Sequence, residues 1–384
     1  MDATFRDDLA FLRKHTDVIV LSDEQGTAQV ALAPVLQGRV MTSTAEGDSG
    51  RSLGWINRER IASGQARPHI NVFGGEDRFW MGPEGGQYSI FFAKGAPFDL
   101  AHWFVPEALD KWPFQTLSHT RERAQFAADF ALTNYSDTRF EVHIEREIRL
   151  LSRESAWQSL GLPALPNIAL IAFESNNKLV NAGWKPWRKE TGLLSIWIAG
   201  MFKASPAATI VVPIQPGPQS ELGVAVTSDY FGAVPADRLK VTENTVLLRA
   251  DANFRSKIGI NPKRSCGKLG SYDTRQRVLT LVQFTQPPGV HDYVSSLWKL
   301  QDDPYSGDAS NGYNDGPPAP GATPFGPFYE LETSSPAAAL APGGSLNHTH
   351  RTIHLTGPES GLDTVARAVL GVSVTQIATA LPLK

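Results

Sequence analysis

The chain has 384 residues, with 36 Lys and Arg against 39 Asp and Glu and a formal net charge of −3. This length allows two or three small domains or one large β domain. The balanced charge argues against a nucleic-acid-binding protein, and no apolar run is long enough to span a membrane. The single cysteine, Cys266, rules out an intramolecular disulfide and argues against a zinc site built on cysteines.

The first predicted element is a helix over about 4–15, where apolar residues recur with helical spacing. Alternation with a period of two then predicts strands at 28–33, 122–134, 139–150, 193–200, 208–214, 245–250, 278–286 and 346–355. A second helix is predicted over about 360–371. Because almost no helix lies between the strands, the pattern predicts a mainly β fold, a large antiparallel two-sheet sandwich, in a single domain spanning 1–384.

The first residues carry charges where a signal peptide has its apolar stretch, so no export signal is predicted. A chain already trimmed of such a signal would be periplasmic or secreted. The sequence predicts no particular oligomeric state.

Residues 69–92 form the densest polar cluster. Glycine pairs at 74–75 and 85–86 favour tight turns, and charges alternate with aromatic rings between them. Such side chains would suit a cleft that binds a sugar, because charged groups bond hydroxyls and an indole covers the apolar face of the ring. The other interpretation is a structural ion pair with a core tryptophan. The candidate residues are His69, Asn71, Glu76, Arg78, Trp80 and Glu84.

Two features in the middle of the chain have competing interpretations. The strand 139–150 places Glu141, His143, Glu145 and Glu147 on one face, which favours a solvated surface over the floor of a site. Trp184, near a turn and beside Lys185, is either a platform for stacking a ligand or a residue of the sandwich core.

Residues 301–328 are rich in Gly, Pro, Asp and Asn and predict a long loop. Its aromatic residues favour an ordered binding loop over a linker. The oxygen atoms of its side chains could hold a calcium ion, although their spacing is not that of an EF-hand. No other cofactor is predicted. The oxygen ligands are Asp302, Asp303, Asp308, Asn311, Asn314 and Asp315.

The last third carries the candidate catalytic residues. Glu330 and Glu332 share one face of a predicted strand, and His348 and His350 share a face of the next. These side chains would suit a general base with a general acid, or a His/carboxylate metal site. The competing interpretation places the histidines on a sheet edge near the surface. Further candidate substrate-binding residues are Asp229, Arg255, Lys257, Tyr272, Tyr313, Asn314 and Asp315.

Two segments carry a resemblance to a known superfamily. GGEDRFWMGPEGG resembles the GG-x-R-x-W-x-x-PE turn of galactose-mutarotase-like proteins, and FYELETSSPAAALAPGGSLNHTHRTIHL is similar to their closing strands. Within that superfamily the chain most resembles a bacterial family of unknown function. The resemblance implies a large β-sandwich with a small sugar or oligosaccharide as its ligand.

The resemblance also implies an epimerase mechanism, with Glu330 or Glu332 as the base and His143, His348 or His350 as the acid. The mutarotase stretch in which a catalytic histidine precedes Asn-Leu has no counterpart in this sequence. Three functions are therefore compared: an enzyme acting on a sugar as an epimerase, glycoside hydrolase or lyase; a carbohydrate-binding protein without catalysis; and a structural or partner-binding sandwich. A hydrolase would use two of the carboxylates Glu76, Glu84, Glu330 and Glu332.

Overall fold

A computed structural model describes residues 3–381 of the chain. The helices of the described part are α1 Phe5–His15, α2 Arg58–Ala62, α3 Glu107–Asp110, α4 Arg153–Leu160, α5 Gln219–Leu222, α6 Glu359–Leu370 and α7 Val374–Ala380, with 3₁₀ turns at Pro34–Leu36 and Lys189–Thr191. The strands are β1 Ile19–Ser22, β2 Gln29–Ala33, β3 Arg39–Thr44, β4 Arg78–Gly82, β5 Gln115–His119, β6 Arg123–Thr133, β7 Arg139–Leu150, β8 Ala169–Asn181, β9 Ser195–Lys203, β10 Ala208–Pro213, β11 Leu239–Val241, β12 Thr245–Arg249, β13 Ser256–Ile260, β14 Lys268–Asp273, β15 Val278–Phe284, β16 Ser310–Asn314, β17 Phe328–Ser334 and β18 Ser345–Thr356.

Two antiparallel sheets dominate the fold. The larger has ten strands in the order β11-β12-β10-β14-β15-β18-β8-β7-β6-β5, and the smaller has five in the order β13-β16-β17-β9-β4. A separate three-stranded sheet is formed by β1, β2 and β3. The predicted mainly β, antiparallel fold is therefore confirmed.

The alternation of strand β17 shows how the two large sheets meet. Thr333 and Tyr329 point towards the ten-stranded sheet, where Thr333 Oγ1 lies 2.8 Å from His348 Nε2 and the Tyr329 hydroxyl lies 2.8 Å from Ser271 Oγ. Leu331, on the same face, is fully buried. Because successive side chains of a strand point to opposite faces, Glu330 and Glu332 point away from the ten-stranded sheet.

Helices cover the other face of the ten-stranded sheet. Leu362 and Val365 of α6 and Trp157 of α4 belong to one apolar cluster with Leu279 and Leu355 of the sheet. The apolar stripe of α6 repeats every three to four residues, as a helix packed on a sheet requires. Both faces of the central strands are therefore buried.

The strands and terminal helices predicted from alternation are found close to their expected bounds, but the 301–328 loop is not wholly irregular. Ser310–Asn314, with the sequence SNGYN, forms β16 and pairs on one side with β13 and on the other with β17. Such a Gly- and Asn-rich strand has no apolar alternation to signal it, so the expectation of one continuous loop was wrong here.

Candidate functional site

A cavity opens on the face of the five-stranded sheet that points away from the ten-stranded sheet. Its empty volume is about 480 Å³, counting the open space at its mouth. We call it the sheet cavity. Its charged lining residues are Arg78, Glu84, Arg255, Lys257, Glu330 and Glu332. Its aromatic lining residues include Trp80, Trp103, Trp197, Phe231, Tyr313 and Phe325.

Strand register brings these distant residues together. Lys257 of β13 lies opposite Tyr313 of β16, which lies opposite Glu330 of β17. Glu332 aligns through one residue of β9 with Arg78 of β4. Because directly opposed residues share a face, the side chains of five strands point into one cavity.

Lys257 and Glu332 form a buried ion pair at the floor of the cavity. Lys257 Nζ lies 2.8 Å from Glu332 Oε2, and the Trp197 indole donates to the same oxygen at 3.0 Å. Burial acts to lower the pKa of Lys257, but the negative charges of Glu332 and Glu84 outweigh it and the pKa is raised. Glu332 is therefore a carboxylate held next to a positive charge.

Glu330 differs from its neighbour on the same strand face. Burial, reinforced by the negative charge of Glu332, raises the pKa of Glu330 well above its usual range. Burial also raises the pKa of Glu84. The environment thus favours the neutral form of Glu330 beside a Glu332 carboxyl group that Lys257 and Trp197 bond, an arrangement that can supply an acid and a base to one ligand.

Arg78 and Trp80 form the wall on strand β4. The Arg78 guanidinium carbon lies 3.7 Å from the centroid of the Trp80 ring, and Trp80 stacks on Trp197 at 4.9 Å. Arg78 Nη2 lies 3.3 Å from Asp110 Oδ1, and the Asn71 side chain donates to Asp110 at 2.7 Å. Asp110, which is itself bonded by Asn71, therefore fixes the position of the Arg78 guanidinium.

Several polar atoms of this lining have no hydrogen-bond partner within residues 3–381. They are Arg78 Nε and Nη1, Trp80 Nε1, Trp103 Nε1 and Glu332 Oε1. Leaving one buried polar atom unpaired costs about 1–3 kcal/mol. Unpaired donors and an unpaired acceptor are thus grouped among the residues that line one cavity.

A smaller polar chamber adjoins the cavity and shares Lys257 and Trp197 with it. The Tyr230 hydroxyl donates to Asp308 in this chamber, and Asn311 Nδ2 lies 3.2 Å from the same hydroxyl. Burial raises the pKa of Asp308 to about 6.

The sheet cavity brings together eight of the residues expected at the site from the sequence. They are Arg78, Trp80, Glu84, Arg255, Lys257, Tyr313, Glu330 and Glu332. Asn71, Asn314 and Asp315 lie behind the lining, where each bonds neighbouring protein groups. These three residues therefore do not line the cavity themselves, and they bond residues that lie next to it.

Glu76 does not line the cavity. It is fully buried between the sheets, where Glu76 Oε1 accepts from the Ser43 amide at 2.6 Å and Oε2 lies 2.8 Å from His354 Nε2. The predicted Glu76–Arg78 ion pair does not form either, because Arg78 pairs with Asp110. The glutamate joins β3 to the ten-stranded sheet instead.

His348 and His350 lie on the opposite side of the five-stranded sheet from the two glutamates. They belong to β18 of the ten-stranded sheet, and both contact the hydroxyl of Thr333, at 2.8 and 2.9 Å. Burial lowers the pKa of His348 to about 3 and that of His350 to about 4. The interpretation that placed them on a strand neighbouring that of Glu330 and Glu332 was wrong, because β17 and β18 belong to different sheets.

Four other expected residues lie elsewhere. Tyr272 is buried beneath the helices on the outer face of the ten-stranded sheet, and Asp229 is exposed on a loop. His69 bonds the Trp103 carbonyl and stacks on a neighbouring phenylalanine. Trp184 is 79% exposed, so the core interpretation was wrong; it lines a separate surface groove, and its role as a stacking platform stays a prediction.

Sequence reasoning did not single out four contributors to the site: Trp103, Phe231, Asp110 and Met201. Trp103 and Phe231 lie in irregular segments, where no periodicity marks the side that they present. Trp197 is 5% exposed and belongs both to the apolar core and to the lining of the cavity.

The proposed calcium ligands of the 301–328 segment are engaged with protein groups. Asp303 accepts from the Tyr305 amide, Asp308 from Tyr230, and Asp315 from Tyr313. Among residues 3–381, no three His, Cys, Asp or Glu side chains are grouped so as to hold a metal ion. No helix in this part of the chain is long and apolar enough to cross a membrane.

Comparison with solved structures finds chains of similar fold. A protein of Synechocystis sp. PCC 6803 is 13% identical, with 89% of this chain and 96% of that chain covered and a TM-score of 0.50. A galactose mutarotase-like protein of Lactobacillus casei is 10% identical, with coverages of 88% and 100% and a TM-score of 0.47. A galactose mutarotase related enzyme of Lactobacillus acidophilus is 10% identical, with coverages of 88% and 97% and a TM-score of 0.46. Proteins named for the expected superfamily are thus found among the similar structures.

No curated protein sequence matches the chain. One family model does match, and it covers residues 3–381, nearly the whole chain. The chain therefore belongs to the family of unknown function DUF6786.

Proposed function

We propose that the sheet cavity binds a sugar and that the chain is a carbohydrate-active enzyme in which Glu330 and Glu332 act as an acid–base pair. The observation that carries the proposal is the group of unpaired polar atoms on Arg78, Trp80, Trp103 and Glu332 within one cavity that has aromatic walls. Sugars present hydroxyls that donate and accept, and apolar C–H faces that pack on aromatic rings.

The placement of the two carboxyl groups favours chemistry at one anomeric centre. Glu330 and Glu332 are two residues apart on one strand, so they approach a ligand from the same wall. Interconversion of anomers needs a base at the anomeric hydroxyl and an acid at the ring oxygen, and both oxygens are bonded to the same carbon. Hydrolysis by two carboxyl groups needs them on either side of the glycosidic bond.

In this proposal Glu332 accepts the proton of the anomeric hydroxyl while Glu330 protonates the ring oxygen. The C1–O5 bond then breaks, the open aldehyde rotates about C1–C2, and the reverse transfers close the ring. Lys257 and Trp197, which bond Glu332, set the position of the base. The environment that raises the pKa of Glu330 supplies the protonated acid.

The test is a panel of aldoses followed by NMR for anomer interconversion, with reducing-sugar release measured on glycosides. Replacing the base in Glu332→Gln is expected to lower the rate by about 10²–10⁴-fold, and Glu330→Gln should also reduce it. Glu243→Gln, at an exposed position between β11 and β12, is the matched control and should keep the wild-type rate.

Wild-type rates in both site variants would overturn the assignment of the acid–base pair. Sugar binding without turnover by the wild-type chain would instead identify a carbohydrate-binding protein of the same fold. Absence of any sugar binding would overturn the proposal altogether.

A further inference from the structure

Arg255 is held at the mouth of the sheet cavity by aromatic rings. Its guanidinium carbon lies 3.9 Å from the centroid of Phe231 and 5.9 Å from that of Phe325. Arg255 Nε donates to the Tyr313 hydroxyl at 3.3 Å. The Phe231 ring and the Tyr313 hydroxyl therefore restrict the position of the guanidinium, and Arg255 is half-buried.

The three cations of the cavity differ in their partners. Arg78 pairs with Asp110, and Lys257 pairs with Glu332. Arg255 forms no ion pair with any Asp or Glu of the described chain, and its two terminal nitrogens have no hydrogen-bond acceptor there. Its charge is therefore the one in the lining that no carboxylate contacts directly.

Asp315, a carboxylate on which the charge of Arg255 acts, already has hydrogen-bond donors. Asp315 accepts from the Tyr313 hydroxyl at 2.6 Å and from the Gly326 amide at 2.8 Å, so it reaches Arg255 only through the tyrosine. Burial and the negative charge of Glu332 raise the pKa of Glu330, which favours its neutral form. Neither group supplies the two parallel acceptors that a guanidinium fork binds best.

We infer that the sugar bound in the sheet cavity carries an anionic substituent, a carboxylate or a phosphate ester, and that Arg255 is the residue that recognises it. This inference rests on the proposed function of the cavity. A guanidinium binds either group through two parallel N–H donors, and the neighbouring rings strengthen the attraction by excluding water. Arg255 would thus separate acidic sugars from neutral ones.

The experiment is calorimetric titration of the full chain with matched sugars. D-Galacturonate and D-glucuronate test the carboxylate, D-glucose 6-phosphate tests the phosphate, and D-galactose and D-glucose are the neutral references. One acidic class is expected to bind about tenfold or more tightly than its neutral reference. Arg255→Gln should remove that difference between acidic and neutral sugars, whereas Arg255→Lys should keep part of it because it retains the charge without the fork.

Arg188→Gln is the matched control, since Arg188 is exposed and lies outside the sheet cavity. Preference for an acidic sugar that depends on Arg255 but not on Arg188 supports the inference. Equal affinity for acidic and neutral sugars, or an acidic preference unchanged in Arg255→Gln, overturns it while the proposed function stands. Failure of every sugar to bind overturns both.

Discussion

Lys257 and Glu332 are 75 residues apart in the chain, yet their side chains meet at 2.8 Å on adjoining parts of one sheet, with 6% and 1% of their surfaces exposed. Strand β16 lies between their strands, so the long lysine side chain reaches across it. A buried ion pair is sensitive to the loss of one partner, because the remaining charge has no water to solvate it. Loss of either side chain of this pair should therefore destabilise the sheet as well as alter the lining of the cavity.

Lys257→Met should destabilise the protein by about 3–5 kcal/mol, because it leaves the Glu332 carboxylate buried and unpaired. Lys94→Met is the control: Lys94 pairs with Asp137 at 2.6 Å, but the two side chains are 67% and 59% exposed. Such an exposed pair is worth less than about 1 kcal/mol. Urea unfolding measures both variants, and adding Glu332→Gln to Lys257→Met should recover part of the loss. Equal effects at the two lysines would contradict the prediction.

Trp80→Phe should weaken sugar binding by about tenfold, because it removes an indole N–H that faces the cavity without a protein partner. Trp157→Phe provides a control. Its indole nitrogen is also buried and unpaired within the described residues, but it lies beneath the helices. Both changes should lower stability by a similar amount, about 1–2 kcal/mol. Titration with a sugar that the wild-type protein binds distinguishes the two variants, because only Trp80→Phe should lose affinity. A loss of affinity in both variants would point to a general effect of repacking.

Glu76→Ala should lower the free energy of unfolding by about 3–5 kcal/mol, because the change leaves His354 and Ser43 without their buried partner. The affinity of the folded fraction for a sugar should stay unchanged, since Glu76 does not line the cavity. Glu46→Ala, at an exposed position, should alter neither quantity. A variant that folds normally and loses its affinity would return Glu76 to the binding site.

The contribution of Asp308 to the free energy of unfolding should fall as pH rises from about 4 to 6. Burial raises its pKa from 3.8 to about 6 in the folded chain, so the folded state holds a proton that the unfolded state releases. This contribution is fully present below the unfolded pKa and is lost as pH rises through the folded pKa. Asp308→Asn should thus gain stability relative to wild type on going from pH 4 to 7, on the order of 2 kcal/mol. Urea unfolding at several pH values measures the difference, and a constant difference would contradict the assignment.

Alternation marks a strand most clearly where only one face of the strand is buried. In β7 the buried and less buried residues alternate along the whole strand, as the sequence pattern indicates. Strand β8 lies between β18 and β7 in the ten-stranded sheet, and its first half is buried on both faces. It was not predicted, because this half has no alternation of apolar and polar residues.

The candidate site could be predicted in part for a related reason. Alternation correctly indicated that Glu330 and Glu332 share a face and that His348 and His350 share another. It could not indicate that β17 and β18 belong to different sheets, because that depends on long-range pairing. The convergence of Arg78 with Lys257 likewise depends on the strand order of the smaller sheet.

Strand β17 presents carboxyl groups to the cavity and apolar or hydroxyl-bearing groups to the interior. Inserting or deleting a single residue near its start would exchange the two sets, driving charges into the core and turning Leu331 outward. Loss of folding and loss of the site would then occur together, which leaves evolution free to lengthen the adjoining loops but not this strand.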